Sequence, residues 1–173
     1  MDEDAYIRSS KANYERLLES IKQVESINVK RKKVLVSACL LGIDCKYNGK
    51  NNKNDKVIEL LKDHDLIPVC PEIMGGLTTP RTPAEINKNE VITKDAKNVT
   101  KQYQKGAEET LKIAKLYNCK TAILKEKSPS CGCGKIYDGT FTGTLIDGDG
   151  ITARLLKEHG IKITGETTLN ITE

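Results

Sequence analysis

Val34-Leu35-Val36-Ser37-Ala38 is an apolar, largely β-branched run, the pattern of a strand buried on both faces of a sheet. After it come a Gly- and Asn-rich loop over residues 42–54, a short helix near 56–62 and a second strand from Leu66 to Val69. Together they make a β-α-β unit. The alternation continues. Between Val99 and Tyr117 the residues Tyr103, Ala107, Leu111, Ala114 and Leu116 recur at helical spacing, and Thr121-Ala122-Ile123-Leu124 follows as a third buried strand. Residues 139–150 are rich in turn formers, 151–158 read as a last helix and Ile161-Lys162-Ile163 as a last strand. Residues 71–90 hold three of the five prolines and the pair Gly75-Gly76, and read as an irregular loop over the sheet edge.

Strands alternating with helices predict a mainly parallel sheet covered on both faces and joined by right-handed crossovers, a Rossmann-like three-layer α/β sandwich. Upstream, Leu17, Leu18, Ile21, Val24 and Ile27 predict one amphipathic helix over residues 3–26. The chain then divides into an N-terminal helical extension, residues 1–30, and an α/β domain, residues 31–173. A chain of 173 residues can bury a core without disulfide staples.

Lysine and arginine outnumber aspartate and glutamate by 28 to 24, too even a balance to imply a nucleic-acid groove. With one Phe and no Trp, surfaces for stacking bases are scarce. The first twenty residues lack the apolar stretch of a signal peptide or membrane span, which points to the cytoplasm and away from a membrane. In that reducing compartment six cysteines read as metal ligands, redox thiols or packing residues rather than as a disulfide framework. No G-x-G-x-x-G follows the first strand and no G-x-x-x-x-G-K-[ST] occurs, so a phosphate cradle is lacking.

Cys39 ends the first strand, Cys70 ends the second and Cys131 lies in the loop leaving the third. In an open parallel sheet the carboxyl ends of the strands converge on a crevice, where residues distant in sequence meet. Thiolate is the favoured soft ligand for iron-sulfur clusters and for zinc, and three thiolates leave a four-position site one ligand short. Structural zinc usually carries C-x-x-C pairs, and none occurs here. Cys133 reads as a fourth ligand or a resolving thiol and Cys119, ending an amphipathic helix, as a packing residue.

Several motifs then agree in order: Ser37-Ala38-Cys39-Leu40-Leu41-Gly42, Pro68-Val69-Cys70-Pro71-Glu72, Gly75-Gly76-Leu77, Pro80-Arg81 and Lys127-Ser128-Pro129-Ser130-Cys131-Gly132. With them the sequence resembles the family known as domain of unknown function 523, whose characterised members are thiouracil desulfidases, over roughly residues 33–165. The resemblance implies a 4Fe-4S cluster held by Cys39, Cys70 and Cys131, its fourth iron free for the sulfur of a thiocarbonyl in a small thiolated base such as 2-thiouracil. Cys45 is a spare thiol in this reading, placed to shield the site or to take part in sulfur release. The implied reaction is a non-redox hydrolysis of a carbon-sulfur bond, with the iron as Lewis acid.

Expelling sulfur requires proton transfers near the cluster, and Glu72, two residues past Cys70, is placed for them. Ser128 is placed to hold substrate or water, with Ser130 a weaker candidate. Arg81 reads as a partner for an anionic group or for Glu85, His64 as a solvated residue and His159 as a helix-end residue. Two rival readings stand beside the desulfidase. One is a non-catalytic zinc or iron-sulfur module in sulfur trafficking, and the other a sulfurtransferase or redox protein using Cys131 and Cys133. Oligomeric state is left open by the sequence.

Overall fold

The computed structural model describes residues 11–27 and 31–169. The chain falls into two compact units, Met1–Arg31 and Lys32–Glu173. In the first, helix α1 (Lys11–Ile27) leaves Tyr14, Leu17, Leu18 and Ile21 exposed along one side. Residues 3–10 of the expected helix lie outside the described residues.

In the second unit, β1 (Lys32–Ser37) has β2 (His64–Val69) on one side and β5 (Thr121–Leu124) on the other, with β8 (Lys162–Gly165) beyond β5, all parallel. Side chains alternate across a strand, so Val34 and Val36 face one layer and Leu35 the other. Val34 and Val36 pack with Leu40, Val57 and Ile123, beneath the short helix α2 (Asp55–Glu59). Leu35 packs with Leu111, Ala114, Ala122, Ala153 and Leu156, beneath α4 (Thr100–Leu116) and α5 (Ile151–Glu158). Helices on both faces of a parallel sheet make the three layers. Pro68 sits in β2, an edge strand, where a missing N–H is tolerated.

The stretch 71–90, expected to be irregular, holds a short helix, α3 (Pro71–Met74), and the strand β3 (Ala84–Asn87), which pairs antiparallel with β4 (Glu90–Thr93). Proline at the first helical position is pre-set for the helix and gives up an N–H that would be unpaired anyway. A second hairpin joins β6 (Lys135–Tyr137) to β7 (Leu145–Asp147), inside what reads as turns alone. Both hairpins contribute to a third apolar cluster, of Ile86, Val91, Val99, Tyr103 and Ile136.

One contact fixes the site's geometry from behind. Helix α3 meets α4 backbone to backbone: a Cβ on Gly106 would stand 1.9 Å from the Pro71 carbonyl oxygen, and one on Gly75 2.0 Å from that of Gln102. Only glycine permits this approach, and it sets the depth of the Cys70-Pro71-Glu72 segment.

Candidate active site

The pairing registers bring the strand ends level. Ser37 lies opposite Val69, and Val36 opposite Ile123, so Cys39, Cys70 and the segment after Leu124 leave the sheet along one edge. There a cavity of about 460 Å³ is lined by Cys39, Cys45, Cys70 and Cys131, together with Glu72 and Ser128. Sequence reasoning singles out all six, and the fold brings them together. Cys133 instead lines a separate depression of about 700 Å³ beside Lys135 and Lys162, with Lys157 as its hydrogen-bonding neighbour. Cys119 packs in the core against the α4 side of the sheet.

Cys39 lies in a 3-10 turn, Ala38–Leu41, closed by Gly42 in the left-handed region at φ 90°. The Asn-rich loop then folds back on it. Asn52 N–H donates to the Cys39 carbonyl at 2.9 Å, and the Asn52 side-chain amide reaches the Cys39 sulfur at 3.6 Å. The same loop delivers Cys45, which is buried and hydrogen-bonds both the Cys39 and the Cys70 sulfurs. Its carbonyl accepts from the Cys70 thiol at 3.8 Å and from Arg81 Nη2 at 3.1 Å.

These contacts divide the thiols. The hydrogen bond from Cys45 is the chief reason that Cys70 falls to about 7 and that Cys39 lies below the usual thiol range, in each case against burial. Cys45 correspondingly holds its proton. Burial pushes the Cys131 thiol up, while a hydrogen bond from Ser37 works the other way. Thiolate is the form that binds metal. Among the described residues, no three His, Cys, Asp or Glu side chains gather around a point that would hold a single metal ion.

Glu72 is held by Arg81 rather than left at the surface. Arg81 Nε donates to Glu72 Oε2 at 2.7 Å and Nη2 approaches it at 2.6 Å, with both side chains largely buried. Of the two partners expected for Arg81, an anionic group or Glu85, the carboxylate it meets is Glu72 rather than Glu85. Arg81 leaves a loop that runs back over α3, which brings its planar fork to the carboxylate of that helix. Glu85, buried in the β3–β4 hairpin, accepts instead from Gly139 N–H and Phe141 N–H, each at 3.0 Å, and ties down the β6–β7 loop. Tyr103 supports Glu72 from α4, its hydroxyl driven far above the phenol range by burial and then by the neighbouring carboxylate.

Ser128 Oγ accepts from Ser130 N–H and Cys131 N–H, both at 3.1 Å, and shapes the turn that presents Cys131. Ser130 is fully buried against Thr152 at 2.9 Å, behind the cavity rather than in it. His64 is half-buried, not solvated, at the start of β2, and His159 ends α5 with Nδ1 2.9 Å from the Leu155 carbonyl. Several cavity residues escape sequence reasoning. Ser37 and Asn52 sit in stretches whose strand and loop signals conceal them, and Tyr103 reads as a core residue of its helix. Lys125, which pairs with Glu166, also lines the cavity and lies close enough to Cys39 to favour its thiolate.

Fold and site define a class: α/β domains in which separate strand ends surround one cavity with thiols. The chain belongs to the 2-thiouracil desulfurase family, which it matches over residues 34–168. It is 44% identical over 147 residues to the uncharacterized protein YbbK of Bacillus subtilis (strain 168), a match covering 79% of this chain and 97% of that one. Among solved structures it is similar to the 4Fe-4S-dependent thiouracil desulfidase TudS, with a TM-score of 0.76 and 40% identity. That likeness covers 80% of this chain and 93% of the other.

Proposed function

We propose that this protein is an iron-sulfur-dependent desulfidase that removes sulfur from a thiolated nucleobase such as 2-thiouracil, with Cys39, Cys70 and Cys131 holding a 4Fe-4S cluster. The observation that carries this reading is the arrival of those three thiols, from three adjacent strand ends, on one cavity. Family membership and the likeness to TudS support it. The donor set fits: a cluster takes each thiolate on a different iron, so its ligands need not crowd around one ion, and cysteine is its usual ligand. When bound, the cluster supplies a Lewis-acidic iron for the thiocarbonyl sulfur.

The remaining chemistry belongs to the chain's own residues. Glu72, aimed by Arg81 and backed by Tyr103, takes a proton from the attacking water and passes one to the departing sulfur. Ser128, whose oxygen already accepts two N–H bonds, keeps its hydroxyl proton to donate into the cavity. Oxygen from water replaces sulfur on carbon, sulfur leaves as hydrosulfide, and no net electron transfer occurs. Tyr47, Tyr103, Tyr137 and Phe141, four of the seven aromatic residues in the chain, line the cavity and offer apolar walls for a planar ring.

In this reading residues 31–173 carry the activity and residues 1–30 are an extension. The partner is a small molecule rather than nucleic acid or a membrane, and six free cysteines suit the cytoplasm. No helix among the described residues is long and apolar enough to cross a membrane. The test is anaerobic reconstitution with iron and sulfide, followed by assay of sulfide release from 2-thiouracil. About four irons per chain and release that is lost in the Cys39→Ser, Cys70→Ser and Cys131→Ser variants are expected. A protein that takes up iron but releases no sulfide, or takes up none, overturns the reading.

A further inference from the structure

The loop between β1 and α2 closes by pairing with the turn that follows the first strand. Asn52 N–H donates to the Cys39 carbonyl and Asn54 N–H to the Leu40 carbonyl, each at 2.9 Å. These bonds hold Asn52 alongside Cys39, and its side-chain Nδ2 donates to the Cys39 sulfur at 3.6 Å, at the cavity wall. The other asparagines of the loop are occupied elsewhere. Asn48 accepts from Lys50 N–H at 3.2 Å, Asn51 donates to Asp44 at 2.7 Å, and Asn54 caps α2 through Lys56 N–H and Val57 N–H. Those three shape the loop and its exit, whereas the Asn52 amide is spent on a sulfur. Turned the other way, it would set its carbonyl oxygen against an electron-rich atom.

We propose that Asn52 tunes the cluster through Cys39, its N–H···S bond drawing electron density from that ligand and leaving the irons more electron-poor. The proposal rests on the desulfidase reading, with Cys39 as a ligand. Hydrogen bonds to the sulfurs are among the factors that set a cluster's reduction potential, and groups behind the ligands tune what a metal centre does. A thiocarbonyl sulfur is a neutral and weak donor, so the iron that receives it gains Lewis acidity when charge is withdrawn elsewhere in the core. Asn52 is thus a positioning residue, touching a ligand and not the substrate. No bond to iron is made or broken by it, and no electron is transferred.

The test compares wild type with Asn52→Leu, which keeps the side chain's size and removes the donor, and with Asn51→Leu, which disturbs the same loop away from sulfur. Each protein is reconstituted anaerobically with iron and sulfide. Resonance Raman spectra of the loaded proteins then report the iron–cysteine stretching bands, and a poised reductive titration followed by electron paramagnetic resonance reports the potential. A hydrogen bond to sulfur weakens the iron–sulfur bond, so the bands should move to higher frequency in Asn52→Leu alone. At a fixed potential its reduced-to-oxidised ratio should fall about threefold, or roughly 30 mV on the one-electron scale of ~59 mV per tenfold. Sulfide release from 2-thiouracil should fall roughly tenfold at equal iron content. Asn52→Ala carries the same comparison should the leucine variant fail to fold. Bands and potential unchanged in the Asn52 variants, or moved equally in Asn51→Leu, overturn this inference and leave the desulfidase reading standing. Failure of wild type to take up a cluster overturns both.

Discussion

Glu72 illustrates how a single side chain can be tied into the structure and still be available for chemistry. Arg81 occupies Oε2, and replacing the carboxylate by an amide of the same shape keeps most of the hydrogen bonding while removing the basic oxygen. Glu72→Gln should therefore lower sulfide release by about 10²–10⁴-fold with the iron content unchanged. A variant that loses iron in proportion to activity would assign Glu72 to holding the site together instead. Ser128 has a structural share as well, since its oxygen satisfies two backbone donors ahead of Cys131. Ser128→Ala should cost about 1–2 kcal/mol, read as a lower urea midpoint, besides reducing turnover. At this scale the sequence is legible where a residue's position along a strand or motif determines its place. Cys39, Cys70 and Cys131 follow from strand ends alone. Cys45 does not, because its place depends on how a Gly- and Asn-rich loop folds back, and neither does Tyr103, whose neighbour Glu72 lies 31 residues away in sequence.

Among the elements, the long amphipathic helix and the strands of the parallel sheet are readable because buried runs and helical periods are long enough to be distinctive. The two hairpins and α3 are not, since strands of three or four residues carry almost no periodic signal and prolines mask a one-turn helix. What secures α3 is its contact with α4, which yields a prediction of its own. Gly106→Ala drives a methyl group into the Pro71 carbonyl, and neither backbone can yield without moving Cys70 and Glu72. Overpacking of this kind should cost about 3 kcal/mol, measurable as a fall in Tm of about 10 °C, with weaker iron retention. An unchanged melting temperature would mean that the helices separate easily and do not set the site's depth.

For the molecule as a whole, the Asp149–Lys157 pair near Cys133 offers a test of how pH acts on the fold. Burial works to raise the Asp149 carboxyl, but Lys157 at 2.8 Å and Gly134 N–H outweigh it and hold the group below the usual carboxylate range. A carboxyl lowered on folding adds stability above its unfolded titration near ~4, and that contribution disappears as pH falls through the folded value. Asp149→Asn should be less stable than wild type at neutral pH by about 0.5–1 kcal/mol, small because Lys157 is partly exposed. The two proteins should converge as pH falls through the folded titration of Asp149, as followed by urea unfolding from neutral to acid pH. The division of the chain into two units predicts further that a protein starting at Arg31 folds and loads iron as the full chain does. A shortened protein that precipitates or fails to load would show that residues 1–30 are needed by the rest.

The level strand ends also fix when a cofactor can be received. β5 is held between β1 and β8, so the sulfur that follows it joins the other two only once strands distant in the chain have paired. Before that pairing the chain offers separated thiols and no shared cavity for a cluster. A cluster held by all three thiols would thus follow strand pairing.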